Sequence, residues 1–157
     1  MNAYKQILVA VDLTDDSQEI YLKALGVAGD NKTHIFLIHV VEFIYQVSVA
    51  SDPMFYPVFE DLSKNEEALL KLSQEKMAEL ISKVEEKDNI QIESDVISGI
   101  PKTEILRLAE EKQADLIVCG SHGRSGFELL LGSTANAVLH RATCDVLAVR
   151  TKKDNNK

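Results

Sequence analysis

Five short runs rich in Ile, Leu and Val, at residues 5–12, 33–41, 90–98, 115–119 and 145–150, constrain this chain more than anything else in it. The first two barely alternate between apolar and polar residues, so each reads as a strand covered on both faces. Between the runs, apolar residues recur at helical spacing. The resulting order, β-α-β-α-β-α-β-α-β, predicts an α/β fold: a single doubly wound, five-stranded parallel sheet with helices on both faces. At 157 residues the chain has the length of one domain. That domain is expected over residues 1–150, and the Lys- and Asn-rich stretch 151–157 reads as a disordered polar tail.

The helices have their own signals. Thr14, Asp15 and Asp16 precede Ser17 and favour a helix start. This helix should present Ile20, Ala24, Val27 and Ala28 on one face and end at Gly29. A second helix is expected over residues 62–86, with Leu69, Leu72, Leu80, Ile81 and Val84 turned to the sheet. A third begins at Pro101 and buries Ile105, Leu108 and Ala109. The last covers residues 134–141. Residues 42–60 hold Phe43, Tyr45, Phe55, Tyr56 and Phe59, and Pro53 and Pro57 should break any regular element there. Such a connection covers a ligand mouth, a partner subunit or a satellite core.

Composition narrows the function. A formal charge of −8 disfavours nucleic acid as a partner. With no apolar span of membrane length and no leader-like segment, no membrane partner is expected, and a cytoplasmic protein is. Cys119 and Cys144 form no CxxC pair and read as small buried residues, a redox-sensitive Cys119 being the alternative. His39 stands in a strand with no acidic or cysteine partner nearby and reads as structural.

Chemistry is written most densely after the fourth run, which breaks into Gly120, Gly123 and Gly126. Glycine lets backbone N–H groups approach a ligand, so such a loop can form a nest of donors. Gly132, Ser133, Thr134, Ala135 and Asn136 then suit a helix start, whose unpaired N–H groups and positive dipole end attract anions. Together they suggest a phosphate chain. The same residues also fit a plain strand-to-helix turn with Ser133 or Thr134 as its cap. Asp12 ends the first strand, where open α/β sheets place ligands, and equally suits a turn or cap for the following helix. No Walker A loop, GxGxxG fingerprint, Gly-x-Ser-x-Gly elbow or zinc-binding helix motif is present.

Gly120-Ser121-His122-Gly123, Gly132-Ser133 and the closing segment 138–150 resemble the C-terminal half of universal stress proteins, and residues 4–12 with Ile38-His39-Val40 resemble the N-terminal half. The resemblance covers nearly the whole chain. It implies a Rossmann-like fold of the adenine nucleotide alpha hydrolase type, with the first and fourth strands adjacent at the centre. It implies ATP or a related adenine nucleotide as cofactor, with Mg2+ held in part by Asp12. Ala10, Asp12, Val40 and Cys119 would lie near it, with Val40 against the adenine. Gly120, His122, Gly123, Arg124, Gly132, Ser133 and Thr134 would surround the ribose and phosphates. A homodimer through strand 145–150 and a stress-response role with an unknown protein partner follow, with slow ATP hydrolysis at most. Family members that bind ATP carry Gly-x2-Gly-x9-Gly-[Ser/Thr]; here only residues 124–131 separate Gly123 from Gly132, one fewer. The alternative is a dimeric interaction protein with a vestigial, non-binding site.

Overall fold

The computed structural model describes residues 3–42, 56–84, 87–122 and 131–151. In chain order the elements are β1 (Gln6–Ala10), α1 (Ser17–Ala28), β2 (Thr33–Val41), α2 (Tyr56–Ser82), β3 (Ile90–Ser98), α3 (Pro101–Glu111), β4 (Leu116–Gly120), α4 (Ser133–Arg141) and β5 (Asp145–Val149). The strands form one parallel sheet in the order β3-β2-β1-β4-β5. As expected, the first and fourth strands are central neighbours, with Val9 opposite Val118 and Ala10 opposite Cys119.

Side chains alternate across each strand, so one strand feeds two cores. Ile7, Val9, Ile35, Leu37, Leu116 and Val118 face Ile20, Tyr21, Ala24, Met77 and Leu80 of α1 and α2. Leu8, Phe36, Ile38 and Ile117 face Ile105, Leu108, Ala109 and Val138 of α3 and α4. Ile7, Leu8 and Val9 are all fully buried, so β1 withdraws three aliphatic side chains from water at roughly 1.5–3 kcal/mol each. Only an interior strand can do that. Among the described residues no helix is long and apolar enough to cross a membrane.

Three expectations need correction. Val27 is exposed, and Tyr21 and Leu25 take its place in the buried stripe of α1. In α2, Leu69 and Leu72 are also exposed, and Leu70, Ser73 and Met77 take their place, while Leu80 and Ile81, and Val84 just past the helix end, pack against the core as expected. Both helices obey 3.6-residue spacing, and apolar content alone misplaced only Val27, Leu69 and Leu72, each next to a residue that is packed. The second helix also begins at Tyr56 rather than residue 62 and ends at Ser82, because Pro57 falls in its first turn, where no intrahelical N–H is needed. Phe43, Tyr45, Pro53 and Phe55 lie outside the described residues.

The amino end of the sheet is closely tied. Asp115 accepts hydrogen bonds from the backbone N–H groups of Lys5 at 2.8 Å and Gln6 at 3.1 Å. Thr33 donates its hydroxyl to the Tyr4 carbonyl, and the Tyr4 hydroxyl donates to Asp145. Asn89 donates to the Gly29 and Asn31 carbonyls. At the far end of α1 Gly29 adopts φ 60°, the positive value expected of a terminating glycine, and returns its N–H to the Leu25 carbonyl.

Candidate functional site

Strand order reverses between β1 and β4: β2 and β3 are added on one side of β1, and β4 and β5 on the other. A crevice opens there beyond the carboxyl ends of the strands. It is a cavity of about 530 Å³, within the roughly 300–1,000 Å³ usual for small-ligand pockets. Ala10, Asp12, Val40, Cys119, Gly120, His122, Gly132, Ser133 and Thr134 all line it. Residues separated by more than a hundred positions therefore meet because the sheet puts β1 beside β4. Gly123 and Arg124 lie outside the described residues.

On the β1 and β2 side, the walls are backbone. The last rung between these strands is the Val11 N–H donated to the Ile38 carbonyl at 3.0 Å. Even-numbered residues of β2 turn their peptide groups to β1 and odd-numbered ones to β3, as the bonds from His34 to Lys5 and from Gly99 to Val41 show. The N–H and C=O of Val40 therefore point to the side where β1 has ended. No described residue bonds to either. The Val11 carbonyl, which could have received the Val40 N–H, accepts His39 Nδ1–H at 2.8 Å. Since a carbonyl only accepts, Nδ1 carries the proton. His39 is thus structural in its contacts while lining the cavity.

Asp12 closes the turn after β1. Its Oδ1 accepts from the Thr14 backbone N–H at 3.1 Å, the Thr14 hydroxyl at 2.6 Å and the Ser17 hydroxyl at 3.3 Å. The turn reading is therefore correct for Oδ1. Oδ2 receives no hydrogen bond from any described residue. Leu13, at φ 57°, turns the chain away from the sheet.

On the β4 side, Ser121 donates its N–H to the Val149 carbonyl and accepts the Gly132 N–H, which fixes where α4 begins. Gly132 is the N-cap, and no side chain caps the helix. Ser133, Thr134 and Ala135, the first turn, all line the cavity. N–H groups of a first helical turn lack intrahelical partners, so this wall supplies donors and a positive dipole end. Ser121 Oγ and His122 Nδ1 are 2.7 Å apart. A Cβ on Gly120 would come to 3.1 Å from Ile20 Cδ1, so the floor tolerates little added bulk.

The floor is dry. Cys119 is buried, which pushes its thiol up to about 11. That is an inert small apolar residue, not a reactive thiolate. The rim is acidic: Asp12, Asp16 and Glu42 line it, and no described Lys or Arg does. Among the described residues no group of three or more His, Cys, Asp or Glu side chains could by itself hold a metal ion.

Several lining residues carried no local signal. Leu69 and Ser73 arrive because α2 packs over β2 and β3, and Pro101 and Ile105 because α3 starts beside them. Asp16 at the N-cap of α1 accepts the Thr151 hydroxyl at 2.7 Å, and both line the cavity. Thr151, expected to open a disordered tail, is instead held at the rim; residues 152–157 lie outside the description. The end-of-strand rule could have found Asp16 and Glu42 in the sequence, since both follow strands that feed the crevice.

Residues 3–150 match the universal stress protein family. Universal stress protein A homolog 2 of Coxiella burnetii is 40% identical over 154 residues, spanning 97% of this chain and 99% of that protein. The solved structure of hypothetical protein MJ0577, reported as a structure-based assignment of its biochemical function, is 25% identical, with a TM-score of 0.79 over 98% of this chain and all of that one. A universal stress protein crystallised in complex with cAMP shares the fold, with a TM-score of 0.58 at 23% identity over 96% of this chain and all of that one.

Proposed function

The chain belongs to the universal stress protein family, and from that premise we propose that it binds ATP or a related adenine nucleotide in the cavity and serves as a cytoplasmic stress-response switch. The observation that carries the proposal is the unpaired peptide edge of Val40 facing the cavity opposite the first turn of α4. One residue offering N–H and C=O side by side complements the adenine edge, where N1 accepts and the 6-amino group donates. Guanine presents the reverse order there. The dry floor of Ala10, Val40 and Cys119 suits a flat base. Gly120, His122, Gly123, Arg124, Gly132, Ser133 and Thr134 would hold the ribose and phosphates, with the helix end supplying donors.

Asp12 Oδ2 fits one ligand position of Mg2+, which commonly takes one or two carboxylates and completes its shell with phosphate oxygens and water. Such an ion would also offset the acidic rim. Hydrolysis is expected to be slow at most. The exposed edge of β5, with Val146, Leu147 and Ala148 half-buried, supports a homodimer through this strand.

Purified protein, denatured without added nucleotide and analysed by mass spectrometry, should release adenine nucleotide; titration calorimetry should then show AMP or Mg-ATP bound and GMP much weaker. The acidic rim and the glycine loop shortened by one residue favour a second reading, a dimeric interaction protein with a vestigial site. Absence of any released nucleotide together with no heat from Mg-ATP would select it.

A further inference from the structure

The ladder between β1 and β2 stops one rung before β2 does, and a side chain occupies the missing rung. Continuing the register in which Ala10 faces Ile38 would set Asp12 opposite Val40. The Val40 N–H would then donate to the Val11 carbonyl, and the Leu13 N–H to the Val40 carbonyl. Neither bond forms. The Val11 carbonyl accepts the imidazole of His39 instead, at 2.8 Å, and Leu13 has already turned away in a left-handed conformation. His39 lies on the β2 face that also carries Ile35, Leu37 and Val41, and it is buried there.

We infer that His39 is a positioning residue that keeps the base-reading edge of the cavity open, by taking the acceptor to which the Val40 N–H would otherwise be drawn. This rests on the reading of the cavity as an adenine-nucleotide site. A free N–H facing a carbonyl of the neighbouring segment has a strong tendency to pair, because a buried amide without a partner is costly. His39 satisfies Val11 without consuming the Val40 donor. The ligand can then supply the bond that the sheet was denied. Burial of the imidazole holds this arrangement in the apo protein, so the edge is formed before the base arrives and little ordering remains to be done on binding.

Two variants separate the donor from the bulk. His39→Leu fills the space without an N–H, and His39→Asn keeps an N–H two bonds from Cβ, where Nδ1 stands. The first measurement is made on protein stripped of nucleotide by unfolding, dialysis and refolding: amide hydrogen exchange at Val40, read by NMR. The Val40 amide should exchange fast in the parent and in His39→Asn, and become protected in His39→Leu as the extra rung closes. Calorimetry with AMP, GMP and inorganic tripolyphosphate is the second. His39→Leu should bind AMP about tenfold more weakly and prefer it less over GMP, while tripolyphosphate, which has no base, binds as before. His39→Asn should bind like the parent. The inference is overturned by a protected Val40 amide in the parent, by undiminished AMP binding in His39→Leu, or by a parallel loss of tripolyphosphate. Should His39→Leu not fold, the parent and His39→Asn decide it alone. A parent that binds neither AMP nor Mg-ATP sinks the nucleotide reading, and with it the base-reading role, whereas the exchange data still report separately whether His39 blocks the rung.

Discussion

At the amino end of the sheet nearly every strand start is tied by a side chain, whereas at the carboxyl end the Val40 peptide, the first turn of α4 and Asp12 Oδ2 face a cavity. The two ends are made from the same strands. At the amino end Asp115, Asn89, Thr33 and Tyr4 bridge chain segments far apart in sequence and leave their acceptors occupied. At the carboxyl end β2 outruns β1, and a helix begins with no side-chain cap. Groups at the first end are satisfied within the fold; groups lining the cavity are left short of partners among the described residues, at a cost that the first end offsets. A change at the first end should move stability and leave binding alone, and a change at the second should weaken binding without costing stability.

The strongest test is Ser133→Glu. A carboxylate in the first turn of α4 complements the dipole and should stabilise the fold by about 0.3–1 kcal/mol. The same charge would face nucleotide phosphates, so AMP affinity should fall about 100-fold. Thermal unfolding and calorimetry on one sample check both, and a parallel rise or fall would break the contrast. Asp115→Ala is its counterpart. Loss of an acceptor shared by two backbone N–H groups should cost about 2 kcal/mol in urea unfolding, with nucleotide affinity unchanged within about twofold.

A pH test asks whether the cavity floor is as dry as it is placed. Burial raises Cys119 from an ordinary 9.0 to about 11, so the folded state holds this proton more tightly than the unfolded state does. The contribution is intact below pH 9 and is lost as pH climbs through 11, on the order of 1–2 kcal/mol. The urea midpoint of the parent should drop more between pH 8 and pH 10.5 than that of Cys119→Ala; equal slopes would mean that the thiol meets water. The smallest effect is expected at Gly29, whose φ of 60° disfavours a side chain. Gly29→Ala should cost about 1 kcal/mol and leave binding alone.

Much of the fold was legible in the chain. The non-alternating runs at residues 5–12 and 33–41 demanded cover on both faces, and the glycine after α1 marked its end. Legibility failed where two neighbouring stripes of one helix were both apolar. Leu69 and Leu72 compete with Leu70 and Met77 on pattern, and only the angle at which α2 crosses the sheet decides between them. Cavity-lining residues at strand ends, such as Asp12 and Gly120, could be named from their position. Leu69, Ser73 and Thr151 could not, because nothing in the local sequence marks them as lining the cavity.

What the sequence determined by itself was the list of elements, their parallel arrangement and the end of the sheet where the crevice opens. Those follow from local rules: side-chain periodicity, glycine conformation and helix polarity act within a few residues. What only the tertiary structure decided was which groups are left without partners. Whether the Val40 N–H is spent in a ladder depends on where β1 stops, on the turn at Leu13 and on the reach of His39 to Val11. Hydrogen-bond satisfaction is a property of neighbours in space, and the neighbours of β2 come from segments that the sequence keeps far apart.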